Sequence, residues 1–193
     1  MKKRIVVDVA LAALVALALT KCASLEAGAH DPAFFELVQT GMPQDVQAAV
    51  SKGADVNDSS NSGWTPLMAA AMNNPRPEVM TILLKAGGDV TARDWYDKTT
   101  LIYAAKTNPN PAVITTLLKA GADVNARDKA GWTPLMYAAA SNPRAGVMIT
   151  TLLNAGADAT VRDSLGRSAL DIARGNHLLN GNPAVQQLEE ASQ

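Results

Sequence analysis

One short block recurs along this chain of 193 residues and limits what it can fold into. The block runs Gly-x-Asp-x, followed by Asn or Thr, and its copies lie 34, 34 and 35 residues apart, at Gly53, Gly87, Gly121 and Gly156. A second marker keeps the same phase, as Gly-Trp-Thr-Pro-Leu at 63–67 and 131–135 and in altered form at 97–101 and 166–170. A fixed period of this length predicts a solenoid, in which stacked units bury a shared core.

Each unit carries signals for two helices. Good N-cap residues precede the first helix, at Thr65, Thr99, Thr133 and Ser168. We predict that Asn-Pro begins the second helix, with Asn as the cap and Pro at the first helical position, at 74–75, 108–109, 142–143 and 182–183. A glycine then ends that helix, because a left-handed residue costs glycine little. One unit is therefore a helix, a turn, a helix and an extended, hairpin-like loop.

These motifs resemble the ankyrin repeat family. The matching residues are Gly-x-Thr-Pro-Leu-x-x-Ala-Ala, Leu-Leu-x-x-Gly-Ala-Asp-Val-Asn-Ala and Asp-x-x-Gly, which are clearest at 117–139. The resemblance covers about 31–191 and implies an all-α, ankyrin-repeat solenoid of about five helix-turn-helix units with hairpin-like loops. We place an ankyrin repeat domain at 30–193, with units at about 31–59, 60–93, 94–127, 128–162 and 163–193.

The chain departs from the family pattern in three places. Its units have 34–35 residues, against about 33 in the family, and the extra residue falls at the Asn-Pro turn. Met68, Ile102 and Met136 stand where the family usually has a His that bonds neighbouring repeats. Asp97 replaces the turn glycine of the third unit, which leaves the turn type there open.

Residues 1–29 have the pattern of a bacterial-type secretory signal peptide. Three cationic residues at 2–4 precede an apolar run at 9–19, which is shorter than a membrane-spanning helix requires. The alternative is a transmembrane helix over 5–20, which the acid at Asp8 disfavours.

Two processing sites compete in this leader. The small residues at 27–29 suit a signal peptidase, whereas 19–22 resembles a lipobox in which Lys21 departs from the pattern. The second choice makes 1–21 a lipoprotein signal and Cys22 a lipid anchor. We expect a mature chain with no membrane span that is exported and periplasmic, with lipid-anchored and secreted forms as alternatives.

Composition argues against several classes of function. A formal net charge of −1 at pH 7 leaves no basic excess for nucleic acid, and one Cys with two His is too few for most metal sites. No cofactor is expected.

Aspartates recur at the repeat period, and we interpret them as turn residues rather than as calcium ligands or acid–base catalysts. They are Asp55, Asp89, Asp94, Asp123, Asp128, Asp158 and Asp163. The chain is therefore expected not to be an enzyme.

The family resemblance points to a binding face. In ankyrin proteins the loop tips and first helices line a concave face that binds other proteins. Aromatic residues make up only 4% of this chain, yet all three tryptophans map to these loops, and large rings dominate binding energy at interfaces. The predicted partner-binding residues are Trp64, Trp95, Tyr96, Lys98, Lys106, Lys129, Trp132 and Arg167.

The sequence argument for contact with a partner differs among these aromatic residues. An alternative for Trp64 and Trp132 is packing against the adjacent loop. Trp95 and Tyr96 are neighbours on an extended tip, where successive side chains alternate, so both cannot turn inward. The prediction is a non-enzymatic protein–protein interaction module of the cell envelope. The alternatives are a structural or protective accessory of an envelope enzyme, and an effector secreted to a host.

Overall fold

The computed structural model describes residues 31–193, and the predicted leader at 1–29, with Cys22, lies outside them. The described residues form five pairs of α-helices and one short 3-10 helix, His177–Leu179. The first helices of the pairs are Pro32–Thr40 (α1), Pro66–Asn73 (α3), Thr100–Thr107 (α5), Pro134–Ser141 (α7) and Ala169–Arg174 (α9). The second helices are Pro43–Ser51 (α2), Pro77–Lys85 (α4), Pro111–Lys119 (α6), Ala145–Asn154 (α8) and Pro183–Ala191 (α10).

The pairs stack in two layers around one core. Each first helix packs against the first helix of the next pair, and each second helix does the same in its own layer. Leucine, valine, isoleucine, methionine and alanine side chains fill the space between the layers, and burial of each large one contributes about 1.5–3 kcal/mol. The predicted all-α solenoid is confirmed. No helix within 31–193 combines the length and the apolar character that crossing a membrane requires.

The predicted caps of the first helices are confirmed. Each threonine hydroxyl accepts a hydrogen bond from the amide three residues on, at 3.3–3.4 Å, which satisfies a backbone donor that the helix itself leaves free. Ser168 also caps its helix and forms a capping box with Asp171, whose carboxylate accepts a hydrogen bond from the Ser168 amide at 2.8 Å.

The predicted role of the Asn-Pro pairs is wrong in three of the four units. The asparagines at 74, 108 and 142 end the first helix instead of capping the second, which begins three residues after each of them. Only Asn182 acts as predicted: its side chain accepts the Ala184 amide, and Pro183 opens α10. The physical reason is that the other three side chains bond to the preceding unit.

Four asparagines at 34-residue spacing form what we call the asparagine ladder: Asn74, Asn108, Asn142 and Asn176. The Asn108 side-chain amide donates to the carbonyls of Ala71 and Asn74 in the preceding unit, at 2.8 and 2.9 Å. Its Oδ1 accepts the amide of Asn110, which shapes the turn into α6. Asn74 and Asn142 repeat the two-carbonyl pattern, and Asn176 keeps one bond, to Ala139.

The ladder bonds successive units where the family's histidine is missing. Met68, Ile102 and Met136, which stand where the family pattern has histidine, are fully or almost fully buried apolar residues. This chain therefore joins its repeats from the turn between the two helices, through buried amide groups.

We number the hairpin loops by the unit that each one opens, so the third, fourth and fifth hairpins lie at 93–99, 127–133 and 162–168. The third hairpin keeps the geometry of its neighbours although it has Asp97 where they have glycine. Asp97 adopts φ +60°, close to the +77° and +79° of Gly63 and Gly131 at the same place in adjacent units. Left-handed backbone is unfavourable for a residue with a Cβ, although aspartate tolerates it better than most. The turn type is thus conserved along the solenoid, with strain at one position.

Replacing Asp97 with glycine is expected to raise the free energy of unfolding by about 0.5–1 kcal/mol, because glycine removes the Cβ strain at positive φ. Urea denaturation of the full chain measures this change in the free energy of unfolding. The opposite kind of change in the next hairpin, Gly131→Ala, should lower that free energy by about 1–2 kcal/mol, since alanine is strained at φ +79°. A loss of stability in Asp97→Gly would contradict the strain interpretation.

Candidate protein-binding face

The hairpin loops form a continuous hydrogen-bonded row along the first helices. Within the third hairpin, the Asp94 amide donates to the Lys98 carbonyl at 3.1 Å, and the fourth and fifth hairpins close in the same way. Neighbouring hairpins are joined by one backbone bond each, from Trp95 to Ser62 at 2.9 Å, from Lys129 to Tyr96 at 3.0 Å and from Ser164 to Ala130 at 3.0 Å. Side chains on this row are therefore carried by an ordered backbone.

Buried aspartates organise the hairpins of the third, fourth and fifth units from inside. One oxygen of Asp128 accepts the backbone amides of Ala130 and Trp132, at 2.9 and 2.8 Å. Asp94 and Asp163 repeat this pattern. The other aspartate series, at 55, 89, 123 and 158, accepts the amide two residues on in each of the first four units. The interpretation of both series as turn residues is confirmed.

Two tyrosines outside the predicted set of binding residues complete this arrangement. The hydroxyls of Tyr103 and Tyr137 donate to the free oxygens of Asp94 and Asp128, at 2.5 and 2.7 Å. Burial, and then this hydrogen bond to a carboxylate, raise the pKa of each tyrosine well above its usual range. In the fifth unit the Arg167 guanidinium takes their place and binds Asp163 at 2.8 Å. The signal was present in the sequence, because the two tyrosines lie 34 residues apart.

Replacing Tyr137 with phenylalanine is expected to lower the free energy of unfolding by about 1–2 kcal/mol, because one oxygen of the buried Asp128 loses its partner. The raised tyrosine pKa means that this contribution is fully present below the ordinary tyrosine pKa of about 10 and is lost as the pH rises through the folded-state value. Urea denaturation at neutral pH tests it, with Tyr96→Phe as the exposed control. Equal effects in both variants would contradict this assignment.

Trp64 and Trp132 contribute to packing. The Trp64 ring lies between Phe35 and Tyr103, with centroids 6.2 and 6.0 Å away, and Trp132 lies 4.9 Å from Tyr137. Both tryptophans are half-buried against the core, and the Trp64 Nε1 is buried with no hydrogen-bond partner among the described residues. These contacts account for the two rings without a partner protein. Contact of either ring with a partner stays a prediction.

Trp95 and Tyr96 differ from them in exposure. The two residues are 64% and 65% exposed at the tip of the third hairpin. The Lys129 ammonium donates to the Trp95 carbonyl, and the Lys129 amide donates to the Tyr96 carbonyl, so the backbone that carries the two rings is tied to the next hairpin. Large rings on an ordered loop are available to a partner without further loss of backbone entropy.

Three of the four predicted cations lie beside aromatic rings of the hairpins and first helices. The Lys98 ammonium lies 5.4 Å from the Tyr96 centroid and 5.5 Å from that of Tyr137, and Lys106 lies 5.9 Å from Tyr137. The Arg167 guanidinium stands 5.5 Å from Trp132. We define the hairpin face as these rings and cations together: Trp64, Trp95, Tyr96, Lys98, Tyr103, Lys106, Lys129, Trp132, Tyr137 and Arg167. Across 31–193, no group of three or more His, Cys, Asp or Glu is placed to hold a metal ion.

Comparison with known proteins identifies the repeats. A family model described as ankyrin repeats (3 copies) matches residues 34–128 and again 101–188. The mitochondrial disaggregases of Homo sapiens and Bos taurus are 38% and 37% identical to this chain over 77 and 75 residues. Those alignments cover 40% and 39% of this chain but 11% of each relative, so the likeness concerns a small part of those proteins. With most of its residues matched by the family model, the chain belongs to the ankyrin repeat family.

Proposed function

We propose that this chain is a non-catalytic module that binds a protein partner through its hairpin face. Ankyrin repeats are a protein–protein interaction module, which supports the general class. The observation that carries the choice of face is the exposure of Trp95 and Tyr96, about two thirds of each residue, on a hairpin hydrogen-bonded on both sides. Exposed aromatic rings that lie beside cations are typical of binding hot spots.

The proposed setting is the cell envelope. The leader pattern at 1–29 supports export, with release into the periplasm after residue 29 and lipid anchoring at Cys22 as the alternative. Fractionation of a tagged chain, followed by N-terminal sequencing of the mature protein, tests both points. Recovery of the uncleaved chain in the cytosol would contradict this setting.

Photo-crosslinking in the native host tests the proposed face. A photoreactive residue replaces Tyr96 in one strain and Val147 in another; Val147 is an exposed apolar residue of the second-helix layer. We expect a stoichiometric protein adduct from position 96 and none from position 147, identified by mass spectrometry. An adduct that forms only from position 147, or equally from both, would overturn the choice of face.

A further inference from the structure

Two lysines from different elements converge on one tyrosine ring. Lys98 comes from the third hairpin and Lys106 from the last turn of α5, yet their ammonium groups lie 5.5 and 5.9 Å from the same Tyr137 centroid. Within 31–193 the ion pairs are Arg162 with Asp171, Arg167 with Asp163, and Arg174 with Glu189. Neither Lys98 nor Lys106 is paired with a carboxylate in this part of the chain.

The nearby carboxylates do not neutralise these lysines by direct contact. Asp94 and Asp128 are buried, and their oxygens already accept backbone amides and a tyrosine hydroxyl. The third hairpin also carries Asp97, which forms no ion pair within the described residues. Two ammonium groups beside one ring repel each other, and a carboxylate placed between them would relieve that repulsion.

An apolar ridge runs beside the lysines. Equivalent tip positions of three successive hairpins hold Tyr96, Ala130 and Leu165, all exposed, and Leu165 is 74% exposed. Trp95 stands next to this ridge. Because backbone hydrogen bonds join the three hairpins in succession, these three positions give an extended chain a series of apolar contacts along the row of hairpins.

We propose that the hairpin face binds an extended acidic segment of a partner protein. A carboxylate of that segment lies between the Lys98 and Lys106 ammonium groups, and its apolar side chains pack against the ridge of Tyr96, Ala130 and Leu165. This inference rests on the proposed function, and it adds the chemistry and conformation of the partner. We choose an acidic segment because its charge is complementary to that of Lys98 and Lys106. Two cations without a paired carboxylate bind acidic segments in preference to basic or neutral ones.

Selection from a library of short random peptides tests the inference on the full chain. We expect the recovered peptides to be enriched in Asp and Glu, with large apolar residues between the acids. When the same library is selected for binding to a Lys98→Gln/Lys106→Gln double variant, the recovered peptides should no longer be enriched in acidic residues. Selection for binding to a Lys98→Arg/Lys106→Arg variant should again recover acidic peptides. The matched control is Lys85→Gln/Lys119→Gln, which removes the same charge from two exposed lysines at the ends of α4 and α6.

Binding measurements on one recovered acidic peptide complete the test. We expect the Gln double variant to bind about tenfold more weakly than the unmodified chain, and the control variant to bind equally well. Recovered peptides without acidic enrichment, or no recovered peptides, would overturn the inference and leave the crosslinking test of the face unaffected. Equal displacement of the peptide by a single-stranded oligonucleotide of matched charge would also overturn it, because the face would then bind polyanions in general.

Discussion

Replacing Asn108 with alanine is expected to lower the free energy of unfolding by about 3–4 kcal/mol, more than any other single substitution proposed for this chain. The side chain is fully buried and makes three hydrogen bonds, to the Ala71 and Asn74 carbonyls and from the Asn110 amide. Alanine leaves all three of these backbone groups without that partner. The cost of the unpaired groups adds to the loss of the bonds themselves.

Asn73→Ala is the matched control. This asparagine precedes the ladder residue Asn74, is exposed, and makes one side-chain bond, to Gln39. Its replacement should change the free energy of unfolding by less than about 0.5 kcal/mol. Urea denaturation of both variants measures the difference. Similar values for Asn73→Ala and Asn108→Ala would contradict the claim that the asparagine ladder joins the repeats.

The effect of Asn108→Ala should also be local. Stability in a repeat protein is close to a sum of terms for units and for the interfaces between neighbours. A break at Asn108 weakens the interface between the second and third units, so hydrogen exchange should rise first in α3 and α5. A uniform rise over 31–193 would contradict this local role.

The second large effect concerns binding. Replacing Trp95 and Tyr96 together with alanine is expected to weaken binding of the crosslinked partner about a hundredfold or more, because exposed rings on an ordered loop act as hot spots. The same double variant should change the free energy of unfolding by less than about 0.5 kcal/mol, since both side chains are largely exposed.

Affinity and stability must be measured on the same preparations. The control is Met42→Ala/Val147→Ala, which removes two exposed apolar side chains away from the hairpins and should leave the affinity unchanged. Lost stability with intact binding in the Trp95→Ala/Tyr96→Ala variant would refute the role of these rings.

Local signals sufficed to predict the fold. Threonine caps and the glycines that end the second helices act within one unit, and both occur in the structure as predicted. The period itself then implies stacking, because a single unit cannot bury its apolar face alone.

Contacts between units were harder to predict. By local rules, asparagine before proline is a good start for a helix. Asn108 instead ends the first helix of its unit, because its side chain bonds to carbonyls 34 and 37 residues earlier in the chain. Likewise, packing of Trp64 depends on Phe35 and Tyr103, which belong to other units. The sequence pattern within one repeat does not show which residues of neighbouring repeats will be in contact.

The hairpin face was only partly foreseen for the same reason. Loop position pointed to Trp95 and Tyr96, but the expected extended tip is a tight turn, closed by the Asp97 amide donating to the Asp94 carbonyl at 2.9 Å. The two rings occupy the central positions of that turn, and both are exposed. Tyr103 and Tyr137 lie on first helices; their 34-residue spacing is visible in the sequence, but their hydrogen bonds to the buried aspartates of the hairpins required the structure. The convergence of Lys98 and Lys106 also required the folded structure, since Tyr137 comes from the next unit.

Hydrogen–deuterium exchange of the full chain, with and without its crosslink-identified partner, tests the central claim most directly. If the hairpin face binds the partner, protection should concentrate in the hairpins at 93–99 and 127–133 and in the adjoining first helices α5 and α7. The second helices α4, α6 and α8 should exchange at unchanged rates. Protection confined to the second helices would contradict binding through the hairpin face.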